Sequence, residues 1–416
     1  MASSSTPLIS NWHQDVTYDF TLRIGELDYS TDLIGVEIRS TVTIPYQNIM
    51  LDVLMDSRHI LTESLFGHQP IKLIIRLQGK EPGVLEKIDF DLMYINTEAG
   101  FAPAQKNFMG DQWERSLVRF RTIPSKPYQT MTKMVNGIYF NSTPTTIIGD
   151  LINNNTNAKL NYDALGQSKL AIDQFLIPPT TIYGVVSYLD RTYGVFNGAL
   201  SFHCSFDNKV KVQNLSTKAR SAQKFSLYLL STDDDNKDIY KSESPSLFYT
   251  RSAVESIYQG NSVFAVVAPT IKYIVKPNNT LYKNIDINMQ SFSKNYGIIE
   301  RNNPSMYYNS ETIDPDKRIS YYKDQTGYNS DQTFINSTLS PKIVDLSTLV
   351  AEITGNLPLL NLMEVGEHVK VISRVDAFLK LGGAYILKGS NIKFEKSRSW
   401  LSAAKIYLSR TNIAAQ

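Results

Sequence analysis

The side chains able to do chemistry are few and scattered. Five histidines, His13, His59, His68, His203 and His368, stand far apart in the chain. None forms the H-E-x-x-H pair that sets two imidazoles on one helical face around zinc. The one cysteine, Cys204, alternates with Phe202 and Phe206. A nucleophilic thiol needs electropositive, accessible surroundings, so this apolar company predicts a buried structural thiol. The run Asp233, Asp234, Asp235, Asn236, Lys237, Asp238 is rich in oxygen ligands. It lacks the central glycine and distal bidentate glutamate with which a calcium loop closes on its ion, and reads as a solvated loop. No G-x-S-x-G elbow, Walker A sequence or G-x-G-x-x-G occurs. Gly382 and Gly383, between Leu381 and Ala384, suit a bulge or a close backbone approach in a strand better than a phosphate cradle. With 40 acidic residues, any glycosidase-like pair of carboxylates can be imagined, so none is a signal. The sequence thus predicts no catalytic, cofactor-binding or metal-binding residue, and points to assembly instead of catalysis.

Composition narrows the class. The 416 residues exceed one ordinary domain, and 24 Tyr, 18 Phe and 42% hydrophobic residues supply several cores. Lys plus Arg number 42 against 40 Asp plus Glu, a formal charge of +2, which is not the footprint of a dedicated nucleic-acid or membrane-surface binder. One cysteine excludes an intramolecular disulfide and suits folding in a reducing cytoplasm. No basic segment followed by an apolar one opens the sequence, and no run approaches the roughly 20 apolar residues of a membrane-spanning helix. The expectation is a soluble chain without direct membrane insertion.

The elements come next. Residues 1–125 alternate with a period of two: Phe20, Leu22 and Ile24; Val36, Ile38, Val42 and Ile44; Ile71, Leu73, Ile75 and Leu77; Ile88, Phe90, Leu92 and Tyr94. Successive strands of this kind predict an antiparallel sandwich or barrel. Gly100 to Arg115 lacks periodicity and predicts a long loop. In residues 126–235 the texture becomes α/β. Thr143 and Pro144 can start a helix that buries Ile147, Ile148, Leu151 and Ile152. Pro178 and Pro179 stop the extended chain, and Thr180 or Thr181 caps a second helix. Ile182, Val185, Val186, Leu189 and Tyr193 form its stripe, with Gly194 at C′. A hairpin follows, with Leu200, Phe202, Cys204 and Phe206 on one face, a turn at Asp207 and Asn208, and Val210 and Val212 returning. The polar stretch Ser231 to Ser246 marks a boundary. Residues 236–416 predict a second β-barrel, interrupted by a Tyr-, Asn- and Ser-rich, loop-rich insertion at about 286–344. Val369 and Val371, Ala384 and Ile386, and Ala404, Ile406 and Leu408 are its closing strands. The fold class is mainly β with some α (α+β).

The string FLIPPTTIYGVVSYLDRTYGVFNGALSFHCSFD, Phe175 to Asp207, resembles the middle of baseplate hub proteins of contractile-tailed phages, with Asn214-Leu215-Ser216 in place of a short segment that follows there. VGEHVKVIS from Val365, FLKLGGAYILKGSNIKFEK and KIYLSRTN resemble the closing strands of the hub's second barrel, and YDFTLRIG with GVEIRSTVTIPY resembles its first. The resemblance is to the T-even-type hub. It implies a homotrimer with two tube-like β-barrels per chain, so that three chains present a six-barrel ring. That ring joins the six-fold tail tube to the three-fold central spike and surrounds a channel for tape measure and DNA. The implied partners are the spike, tail tube or tube-initiator proteins, baseplate wedge proteins, the tape-measure protein and, in transit only, DNA. The implied location is the virion tail baseplate, with the host cytoplasm before assembly. A phage-derived contractile injection device would use the same hub. A tail-associated cell-wall enzyme or a receptor-binding protein is the alternative from another class, separable by peptidoglycan release or binding to host cells.

Overall fold

The computed structural model of the chain describes residues 17–56, 69–78, 84–98, 115–162, 167, 171–196, 200–206, 209–215, 224–230, 257–259, 262–266, 271–275, 287–293, 296–301, 319–323, 347–354, 358–373 and 382–410. The loop expected from Gly100 to Arg115, apart from its last residue, and the acidic run Asp233 to Asp238 lie outside these residues. So do the boundary at Ser231 to Ser246 and the turn at Asp207 and Asn208.

Alternation builds the first strands: β1 (Thr17–Ile24), β2 (Leu27–Asp28), β3 (Leu33–Thr41), β4 (Asn48–Asp56), β5 (Ile71–Gln78), β6 (Val84–Glu98) and β7 (Arg115–Pro124). Tyr18, Phe20, Leu22 and Ile24 point inward from β1, and Ile71, Leu73, Ile75 and Leu77 from β5. The β1–β2 hairpin turns at Gly25, whose φ of 60° favours a residue without Cβ. One expectation fails locally. Strand β3 ends at Thr41, because the Thr41 hydroxyl accepts from the N–H groups of Thr43 (3.3 Å) and Ile44 (3.2 Å) and turns the chain. Val42 and Ile44 therefore follow the strand, and Ile44 is exposed.

Next come α1 (Ser125–Thr132), β8 (Met134–Ser142), α2 (Pro144–Asn155), β9 (Lys159–Tyr162), β10 (Ile172–Thr181), α3 (Ile182–Thr192), β11 (Leu200–Cys204) and β12 (Lys209–Asn214). Beyond them lie β13 (Phe225–Leu230), β14 (Ile257–Gln259), β15 (Ser262–Val266), β16 (Ile271–Val275), β17 (Ile287–Ser293), β18 (Tyr296–Arg301), β19 (Ile319–Lys323) and β20 (Ser347–Thr354). The chain finishes with α4 (Leu359–Leu362), β21 (His368–Ser373), β22 (Gly383–Lys396) and β23 (Trp400–Arg410). The segment expected to be loop-rich holds β17, β18 and β19, which form a small antiparallel sheet.

The architecture is mainly β with a few helices, and most of its strands join one large sheet. A 15-stranded sheet runs β14-β15-β13-β21-β22-β3-β4-β7-β6-β5-β1-β2, and a branch carries β23, β20 and β16 from β22. Strand β22 is the splice: it pairs with β21 over residues 383–386 and with β3 over residues 389–395. Its length permits this, since 14 residues reach two partners in succession. The sheet is mixed, because β13 lies parallel to both β15 and β21. Among the described residues no closed barrel forms.

The described residues group into two compact units. The first draws on Met1–Tyr128, Gln223–Ile271 and Ala351–Ile406. An aromatic cluster sits in its core: Phe394 lies 4.7 Å from Tyr18 and 5.2 Å from Phe20, and Trp400 4.1 Å from Phe20, centroid to centroid. The second unit draws on Gln129–Ala222, Lys272–Val350 and Tyr407–Gln416. It contains the helix pair and three small sheets, β8–β10, β11–β12–β9 and β17–β18–β19.

Candidate assembly surface

The second unit builds an exposed apolar face from short-range signals. Thr143 caps α2 by accepting from the Thr146 N–H at 3.2 Å, and Pro144 follows at the first helical position. Ile147, Ile148, Leu151 and Ile152 are buried as their spacing predicts. Thr181, of the two candidates, caps α3 by accepting from the Gly184 N–H at 3.0 Å. Ile182, Val185, Val186, Leu189 and Tyr193 are all buried. Gly194 ends the helix with φ 73° and its N–H on the carbonyls of Leu189 and Asp190. The expectation for the prolines needs correction. Strand β10 runs through Pro178 and Pro179 to Thr181, and its register against β8 shifts between Ile177 and Thr180. Residues without N–H cannot hold the ladder, so they form an irregularity within the strand and not its end.

Helices α2 and α3 pack on the β8–β10 ribbon. Val135, Ile172, Phe175 and Ile177 are its buried residues, with the Phe175 ring 6.0 Å from Tyr193. The opposite face is also apolar and faces solvent. Met134 is 58% exposed, Ile138 52%, Phe140 62% and Leu176 64%. The register sets Ile138 opposite Leu176, Phe140 opposite Gln174, and Met134 opposite Thr181. Directly opposed residues share a face, so these side chains form one strip. Exposed large apolar residues elsewhere, such as Leu27, Ile95 and Leu401, belong to other strands.

The hairpin β11–β12 pairs as expected, with Cys204 opposite Val210, and β9 joins β12 in parallel. Cys204 is buried, and burial pushes its thiol up to about 12, far from a reactive thiolate. The polar positions are a correction to simple alternation. Ser201, His203, Lys211 and Gln213 are as enclosed as Phe202 and Val212. The Ser201 Oγ lies 2.9 Å from His203 Nδ1, the contact a serine nucleophile and its base would make. At 0% and 1% exposure, neither residue offers a substrate any approach. His368, on β21, is buried too, and His13, His59 and His68 lie outside the described residues. Strand β22 starts at Gly383, whose φ is 147°. Among the described residues no three of His, Cys, Asp and Glu gather as metal ligands, and no helix is long and apolar enough to cross a membrane.

A buried carboxylate, Glu86, lies outside every motif read from the sequence. Glu86, on β6, accepts from the Tyr18 hydroxyl at 3.1 Å and from the Asn361 N–H at the start of α4. The Leu359 N–H donates to Tyr18 Oη at 3.3 Å. Burial pushes the Glu86 carboxyl up to about 7, partly opposed by the Asn361 N–H, the Tyr18 hydroxyl and the Leu360 N–H. A signal was available: position 86 has the parity of Ile88, Phe90 and Leu92, the inward set of β6.

Residues 95–245 match the family model of the Bacteriophage PBS1 gene 109 protein. No curated protein matches the chain. Two solved structures are similar along nearly the whole length. One is the tail protein from Neisseria meningitidis MC58, with TM-score 0.51 and 10% identity, covering 95% of this chain and 97% of that one. The other is the 43 kDa tail protein of prophage MuSo2 from Shewanella oneidensis, with TM-score 0.50 and 11% identity, covering 94% and 98%. The chain therefore has the fold of phage tail proteins.

Proposed function

We propose that the chain is the central hub of a phage tail baseplate, a structural protein that acts by assembly and performs no catalysis. The observation that carries this reading is the end-to-end fold shared with two tail proteins. In the hub, three copies form a ring in which each chain contributes two tube-like barrels, at residues 1–125 and 236–416, linked by the α/β domain at 126–235. The splice at β22 suits this arrangement, because it fixes strands of the two barrel segments in one sheet. The ring joins the hexameric tail tube to the trimeric spike and meets wedge proteins at its rim. Its channel admits the tape-measure protein and DNA. The protein resides in the virion tail, and in the host cytoplasm before assembly.

Surface electrostatics support a channel role. Cations and acids interleave across the outward positions of the first strands: Arg76 with Asp19 (3.4 Å), Lys87 with Asp89 (3.2 Å) and Arg119 with Asp52 (2.6 Å). A face on which acids offset cations attracts DNA less strongly than a uniformly basic one. Light scattering of the purified protein tests the reading. The expected mass is about three times the 47.0 kDa chain, in closed cyclic symmetry. A monomer that persists at high concentration, with or without the spike protein, overturns it.

A further inference from the structure

Asn-Gly is ordinarily a turn signal, because both residues tolerate the conformations a tight hairpin needs. The sequence contains it twice, at Asn136-Gly137 and Asn197-Gly198, and the second pair lies outside the described residues. Asn136-Gly137 forms no turn: it sits inside β8. The ladder is broken at this point. Val135 pairs with Thr180 and Gly137 with Ile177, so Asn136 faces two residues, Pro178 and Pro179. Neither proline has an N–H to donate across the ribbon. Strand β8 has β10 on one side and, among the described residues, no strand on the other. Asn136 is exposed, on the solvent face that carries Met134 and Ile138. Beyond the chain neighbours, a Cβ placed at Gly137 would meet nothing nearer than Tyr139 Cε2, at 4.0 Å, so the Gly137 nitrogen is uncrowded from that side.

We propose that Asn136 is a modification site, which loses its side-chain amide spontaneously and so gives the apolar face of the ribbon a negative charge. The Gly137 nitrogen, giving up its proton to water, attacks Asn136 Cγ. The new N–Cγ bond closes a succinimide ring, and the Cγ–Nδ2 bond breaks to release ammonia. Water then opens the ring at one of its two carbonyls, leaving aspartate or isoaspartate. Water is the only co-reactant, and nothing is oxidised or reduced. Ring closure needs the backbone at Asn136 to turn away from the extended form. A residue paired in register would break ladder bonds to do so, and Asn136 has no register partner to lose. Every other asparagine among the described residues precedes a residue with a side chain, and that side chain shields the attacking nitrogen. Met134, Ile138, Phe140, Gln174 and Leu176 carry no charge. The new carboxylate, ionised above about pH 4, therefore alters the character of the face they share. The site belongs to the ribbon alone and does not depend on the hub reading.

The test incubates the folded native chain beside the same chain unfolded in guanidinium, at mildly alkaline pH, and maps both by peptide mass spectrometry with an assay for isoaspartate. In the folded chain Asn136 is expected to convert within about tenfold of its unfolded rate, and about tenfold faster than any other described asparagine, because its attacking nitrogen alone lacks a neighbouring side chain. The product is expected to contain isoaspartate, which direct hydrolysis of the amide cannot form. Asn136→Gln, at an exposed position, keeps the fold and should lose the acidic product there, since its longer side chain must close a larger ring. A folded chain whose Asn136 stays intact while the unfolded chain converts overturns the proposal, because the strand then protects the site. Conversion confined to Asn197, or conversion of Asn136 to aspartate alone, overturns it as well. Each of these results leaves the hub reading as it stands.

Discussion

Glu86 is a carboxylate buried on the inward face of β6. Its carboxyl titrates near 7 against an ordinary 4.5, so between those values the folded chain binds a proton that the unfolded chain has released. The contribution to stability is complete below about pH 4.5 and is lost as the pH rises through 7, on the order of 3 kcal/mol in all. Glu86→Gln keeps a neutral acceptor beside Tyr18 and α4 but does not titrate. The stability of the native chain relative to this variant should fall between pH 4.5 and 7.5 in urea unfolding. A pH-independent difference would contradict the account of this site. Cys204 gives a second test. It should resist thiol reagents until the chain unfolds, and Cys204→Ala should destabilise by only about 1–2 kcal/mol. Rapid labelling of the native protein would mean that the faces of β11 are assigned wrongly. The thiol's burial was legible from Phe202 and Phe206. The burial of Ser201, His203 and Lys211 was not, because alternation cannot say whether a hairpin is covered on one side or on both.

At the scale of elements, local rules were most reliable where a side chain satisfies its own backbone. Both helix starts followed from a threonine cap, and Thr181→Ala should destabilise by about 1 kcal/mol in chemical unfolding. The prolines misled because a ban on ladder N–H groups marks an irregularity as readily as a strand end. Strand β23 is the strongest case for a required C-terminal element. It pairs with both β20 and β22, and Trp400, Ala404, Ile406 and Leu408 are buried, with Trp400 against Phe20. Ile406 and Leu408 together contribute about 3–6 kcal/mol by burial. Truncation after Lys396 should yield aggregated or unfolded protein, and Ile406→Asp nearly the same, while Lys405→Ser, at an exposed position, should fold normally. A truncated chain that remains soluble and assembles would show that the sheet closes without β23.

At the scale of the whole molecule, the sequence carried the strand content and the order of elements, but not the join between the terminal segments. Strand β22 pairs with β3, which lies some 350 residues away, and no local pattern encodes a partner that distant. The apolar strip on β8 and β10 was hidden for the same reason. Met134, Ile138, Phe140 and Leu176 look like ordinary core residues until the register shows the opposite face already covered by helices. In the proposed function, copies of this chain close into the ring at the base of a phage tail. Electron micrographs of the purified native protein in negative stain, averaged without imposed symmetry, test it most directly. Three-fold rings with a central hole are expected, and class averages of isolated, asymmetric particles or of two-fold dimers would contradict the hub reading.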